Sequence, residues 1–181
     1  MIISQQKRAE NIAEYILYMW QIEDLIRAYG FDYTSIKRDL IDKYDVEPAV
    51  HRDIQLWYEG LIDSMKSEQI TQSGHLAFLI GLVDDLNDFH FRLIDSPLHA
   101  DYRDLYEAAV NNINDFRHKM AVKDKICDIE VCLTVLYGLM LMKMKKRPVS
   151  EDTADALETI RKMISLLSVK FKEFEEGDID L

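Results

Sequence analysis

Apolar residues recur at three- and four-residue spacing in seven stretches, roughly 4–29, 34–44, 48–67, 73–95, 99–121, 126–147 and 150–175. That is the period of an amphipathic helix. No stretch alternates in the manner of a half-buried strand. Pro48, Pro97 and Pro148 each stand where a stretch is about to begin; proline, with its fixed φ and missing N–H, is tolerated in a helix's first turn and excluded from its middle. Ser4, Ser73 and Ser150 are candidate N-caps, Glu151 and Asp152 suit the positive end of the last helix, and Gly30 can close the first. The pattern predicts an all-α fold: a single-domain helical bundle of about six to seven helices over 1–175, with an acidic tail at 176–181 expected to fray.

Placed at about 100° per residue, the first stretch aligns Ile12, Tyr15, Ile16, Met19, Ile22 and Ile26, and Glu23 falls inside that stripe. The fourth aligns Leu79, Leu82, Val83, Leu86, Phe89 and Leu93, with His90 inside the stripe and Asn87 on its shoulder. The fifth aligns Tyr106, Ala109, Val110, Ile113, Phe116 and Met120, with Arg117 among them. Polar groups thus point where apolar ones belong. An unpaired buried charge is costly, so an inward Glu23 should find a partner or take up a proton; Arg27 one turn on, Arg117 and His90 are the candidates. Such groups form either an internal network that fixes which helix faces which, or the wall of a polar pocket with Trp20 or Trp57 as an apolar lid. The network is the preferred reading, and the candidate set is Glu23, Arg27, Asn87, His90, Arg117, Trp20 and Trp57.

The sixth stretch, Ile126 to Met144, is apolar nearly all round, with Asp128 and Glu130 confined to its first turn. Such a helix is expected at the centre of the bundle. Its least bulky side carries Cys127, Thr134 and Gly138, which lets another backbone approach, from this chain or from a second subunit. Met140, Met142, Met144 and Met163 suit core filling or an adaptable binding surface.

Charge narrows the partners. Lysine and arginine number 22 against 33 aspartate and glutamate, a formal net charge of −11, so a phosphate backbone is repelled on average and no nucleic acid is expected. The basic cluster Lys143, Lys145, Lys146, Arg147 ends an apolar helix, where cations complement the carbonyl end of the dipole. Cys127 and Cys132 point to different faces of one helix and are expected to be free thiols. The N-terminus turns polar at once, without the apolar core of a secretory signal. The run Val131 to Met142 is shorter than the roughly 20 residues a bilayer requires. Cytoplasmic residence without a membrane is the resulting expectation.

Chemical motifs are weak. Asp84-Asp85-Leu86-Asn87-Asp88 has the form of an acidic magnesium-binding motif, yet Asp84 and Asp88 lie nearly opposite the apolar stripe and no second such motif follows. Asp115-x-x-His118 is the nearest approach to a di-iron unit, and the remaining ligands are missing. No zinc spacing, phosphate loop, nucleophile elbow or pair of facing Glu-x-x-Glu and Glu-x-x-Asp units occurs. Neither metal nor cofactor is expected. A repeat of helical hairpins is hinted at by His51–Gly60, which matches His99–Ala108 at four positions, 48 residues on.

The block Asn11 to Ala28, rich in aromatics beside inward acids, together with Trp57 to Asp63 and the run Cys132 to Met144, resembles a family of short helical proteins from Bacteroidetes that is a domain of unknown function. The resemblance runs the whole length. It implies a bacterial cytoplasmic protein and carries over no activity, cofactor or catalytic residue. The function expected from the residues is that of a non-enzymatic bundle acting through a protein partner or as a homo-oligomer. The alternative is a small-molecule binder or hydrolase using Glu23, Arg27, His90 and Arg117.

Overall fold

A computed structural model describes residues 2–120 and 126–181. Among the described residues there are eight α-helices and no strand: α1 (Ile2–Glu10), α2 (Ile12–Ala28), α3 (Tyr33–Asp39), α4 (Pro48–Ser67), α5 (Ala77–Asp95), α6 (Ala100–Met120), α7 (Asp128–Met144) and α8 (Glu151–Glu176), with a 3₁₀ turn at Ile41–Lys43. The all-α class is as the pattern predicts.

The helix count is higher than the expected six to seven because the first stretch is interrupted at Asn11. Asn11 followed by Glu14 is a pairing of residue types that favours a helix start, and α2 starts at Ile12, in the middle of a continuous apolar pattern. Helix α1 begins at Ile2, so Ser4 is no N-cap; it is a buried residue inside that helix. The second stretch divides at Leu40 into α3 and the 3₁₀ turn. Ser73 does not cap α5 either. The helix starts four residues later, where the Glu68 carboxylate accepts the Ala77 N–H at 2.7 Å. Ser150 does cap α8, accepting from the Thr153 N–H, and Pro48 opens α4. The predicted end of the fifth stretch at 121 lies outside the described residues.

The chain divides into two units, residues 2–9 with 14–81, and residues 10–13 with 82–181. In the first, α3 and the 3₁₀ turn pack against α4, and Ile16, Met19, Ile26, Ile36, Ile41, Met65, Leu76 and Leu79 are fully enclosed. In the second, α6 lies along α8, and α7 touches both. Tyr102, Ile113, Ile129, Cys132, Leu133, Ile160 and Met163 are the solvent-free centre of that unit.

Helix α7 does not occupy the central position expected of it. Ile129, Val131, Cys132 and Leu133 are buried, but every residue from Thr134 to Leu141 is only half-buried and Met142 to Met144 are exposed. The α6–α8 pair fills the middle of the unit instead. An apolar helix is left with half its length partly in water.

Candidate functional site

Glu23, on the buried stripe of α2, is fully enclosed. Its partners come from the connection between α4 and α5. Oε2 lies 2.6 Å from His75 Nδ1, and Oε1 accepts the Leu76 N–H at 2.8 Å. When His75 donates this bond from Nδ1 to the carboxylate, the neutral ring keeps its lone pair on Nε2. The imidazole lies flat on Trp20, with centroids 4.2 Å apart and an interplanar angle of 18°. Contact with the carboxylate and the indole fixes the ring in two directions, while its side chain keeps 34% of its exposure.

Arg27 shapes the same connection without touching the acid. Its Nε and one terminal nitrogen donate to the Ile70 carbonyl, that nitrogen also reaches the Gly74 carbonyl, and the other pairs with Asp24 at 3.0 Å. Gly74 adopts φ +93°, a conformation open mainly to glycine, and a Cβ there would press within 3.3 Å of the Ile70 side chain. The connection is therefore folded tightly enough to turn His75 back onto Glu23. Trp57 is half-buried and stands edge-on to Tyr58.

The remaining candidates lie in the second unit. His90, fully enclosed on α5, has Nδ1 2.5 Å from the Tyr102 hydroxyl, with the Tyr106 ring edge-on at 4.9 Å. Burial pushes the Tyr102 hydroxyl far up, helped by the neighbouring Cys132, Tyr106 and Asp128, so it keeps its proton and donates. Burial lowers the pKa of His90 from 6.5 to about 4, against the opposing pull of Asp128. The ring is neutral, its proton on Nε2. That atom and the Asn87 side-chain oxygen are buried without a hydrogen-bond partner among the described residues.

Arg117 reaches from α6 to the first turn of α7, where it is ion-paired with Asp128, and it also donates to Asn114 at 2.6 Å. The other Asp128 oxygen accepts from the Tyr106 hydroxyl at 3.2 Å. Cys127 is the N-cap of α7, its sulfur accepting from the Glu130 N–H, and Cys132 is enclosed in the core; both thiols are free and pushed up by burial. Among the described residues no three His, Cys, Asp or Glu side chains are grouped to hold a metal ion, and no helix is long and apolar enough to cross a membrane.

Sequence periodicity therefore placed Glu23, His90 and Arg117 on inward or half-inward faces, but the partners it offered for Glu23, namely Arg27, Arg117 and His90, are not the ones the carboxylate takes. The partner of Glu23 is His75, and that of Arg117 is Asp128. His75 belongs to a connection, where helical spacing assigns no face. The one available signal was the adjacent Gly74, a residue that commonly marks a tight turn.

A family model described as "Domain of unknown function (DUF4924)" matches residues 1–178. No curated protein and no solved structure matches the chain.

Proposed function

From the premise that this chain belongs to the DUF4924 family, whose function is unknown, we propose that it works by assembling with a second copy of itself through the second half of α7. The observation that carries this reading is the incomplete cover of an apolar helix. A helix apolar on all sides is expected to be buried, and Thr134 to Met144 are half-buried or exposed, Met142 and Met144 at 36% and 61%. A Cβ built on Gly138 meets nothing within 4 Å, so the helix has open space at that position and admits another backbone there.

Charge supports a second copy as the occupant. Helix α7 begins with Asp128, whose charge is already met by Arg117, and Glu130, and it ends among Lys143, Lys145, Lys146 and Arg147. Two such helices crossing in opposite directions near Gly138 bring the acidic start of each beside the basic end of the other and oppose their dipoles. A twofold axis makes one self-complementary patch serve both copies. The net charge of −11 opposes random contact between copies, which favours this register.

Gel filtration with light scattering on the full chain tests the reading. A dimer is expected at micromolar concentration, weakened by high salt, and Gly138→Arg should return it to monomer with unchanged helical circular dichroism. A wild-type chain that stays monomeric at 100 µM, or a Gly138→Arg protein that stays dimeric, removes the proposal.

A further inference from the structure

The α7 surface leaves the Glu23–His75 pair of the first unit unused. We propose that His75 is a nucleophilic modification site, taking a phosphoryl group on Nε2 from a small phosphoramidate or acyl-phosphate donor. Three features prepare the ring. The enclosed carboxylate accepts from Nδ1 at 2.6 Å, which fixes the tautomer with its lone pair on Nε2 and opposes the positive charge that grows on the ring as Nε2 attacks. Stacking on Trp20 at 4.2 Å holds the plane. The His75 side chain is one-third exposed, so a small donor can approach it while Glu23 stays out of water, where a counter-charge acts most strongly.

The step balances without another reactant. The Nε2 lone pair attacks phosphorus and forms the N–P bond. The bond from phosphorus to the donor's leaving group breaks, and ammonia from phosphoramidate, or a carboxylate from an acyl phosphate, departs with that electron pair. The Nδ1 proton stays on the ring facing Glu23, so the product is an imidazolium carrying a dianionic phosphoryl group. Glu23 is a positioning residue in this scheme; His75 Nε2 is the nucleophile that supplies the attacking electron pair.

The chain carries its own reference groups: His118 is exposed at the end of α6, and His51 is half-buried against Gln55 and Asp42. Treating the full-length protein with potassium phosphoramidate and following each histidine by peptide mass spectrometry and ³¹P NMR reads the relative rates. His75 should be labelled about tenfold or more faster than His118, and Glu23→Gln should abolish that advantage while leaving the His118 rate unchanged. Equal rates at the two histidines, or an advantage that survives Glu23→Gln, overturns the proposal. Should Glu23→Gln not fold, ¹⁵N NMR of the wild-type ring decides: the Nδ1–H tautomer is required, and the Nε2–H tautomer rules the scheme out.

Discussion

His75 Nδ1 lies 2.6 Å from Oε2 of Glu23, across 52 residues of sequence, and the carboxylate it meets is fully enclosed. This one contact joins α2 to the connection that leads into α5. Because Leu76 N–H shares the same carboxylate, removing the acid strands two donors at once. Glu23→Leu should destabilise the protein by about 3 kcal/mol, the range for a lost buried charge partner, read from urea unfolding. In double-mutant cycles Glu23 should couple to His75 by more than about 1 kcal/mol and to Arg27 by less than about 0.5 kcal/mol. Strong coupling to Arg27 would show that the guanidinium acts on the acid and not on the Ile70 and Gly74 carbonyls.

His90 gives the fold a dependence on acid. Its pKa is lowered from 6.5 to about 4 by burial, so the unfolded chain binds this proton more readily than the folded one. The associated stability is present above pH 6.5 and is lost as pH falls toward 4. The stability difference between wild type and His90→Leu should shrink by about 3 kcal/mol between pH 7 and pH 4, from a lowering of 6.5 to about 4. Unfolding curves across that range check it, and parallel pH profiles for the two proteins would mean that the ring is not held neutral. Tyr102→Phe, which removes the hydroxyl on Nδ1, should cost about 1–2 kcal/mol at neutral pH.

How much of this was legible beforehand differs by residue. Ile16, Met19, Ile26, Leu86 and Ile113 sit where helical spacing puts them, because a repeated apolar stripe has only one way to leave water. Glu23 and His90 were legible as inward for the same reason. Their contacts were not, since periodicity gives an angle about one helix and says nothing of which side chain arrives from a connection. Asn11 was hidden for a different cause: apolar spacing runs straight across it from α1 into α2, and only local capping chemistry marks the break. The open half of α7 was misjudged because composition registers how apolar a helix is, while cover depends on how α6 and α8 pair.

Two glycines with open surroundings should respond oppositely to the same substitution. A Cβ meets nothing within 4 Å at Gly138 or at Gly177. Gly138 lies in the middle of α7, so Gly138→Ala should stabilise by about 0.5–1 kcal/mol through helix propensity alone. Gly177 closes α8 at φ +80°, and Gly177→Ala should cost about 1 kcal/mol, because an L side chain is strained in the left-handed region. Thermal unfolding at concentrations low enough to keep the chain monomeric measures both, and shifts of the same sign would contradict the cap geometry.

Lys170 is a buried cation of the second unit, 9% exposed, 2.9 Å from Asp101 and 3.4 Å from Nδ1 of His99, whose Nε2 is 2.9 Å from the Asp180 carbonyl. Burial raises the Asp101 carboxyl, but the hydrogen bonds from Lys170 and from the Tyr102 N–H outweigh it, and the net position is below the usual carboxylate range. Losing the acid leaves the ammonium enclosed without its counter-charge, whereas losing the ammonium leaves a carboxylate that is 57% exposed and readily hydrated. Asp101→Asn should therefore cost about 1–2 kcal/mol, and Lys170→Met less, since an apolar chain of similar volume often replaces a buried ion without loss. Adding Lys170→Met to Asp101→Asn should recover part of the stability. A carboxyl held low stabilises above its ordinary pKa and stops doing so as pH falls through its folded value. The advantage of wild type over Asp101→Asn should accordingly fade below about pH 4, and an advantage undiminished in acid would show that the pairing with Lys170 does not hold Asp101 ionised.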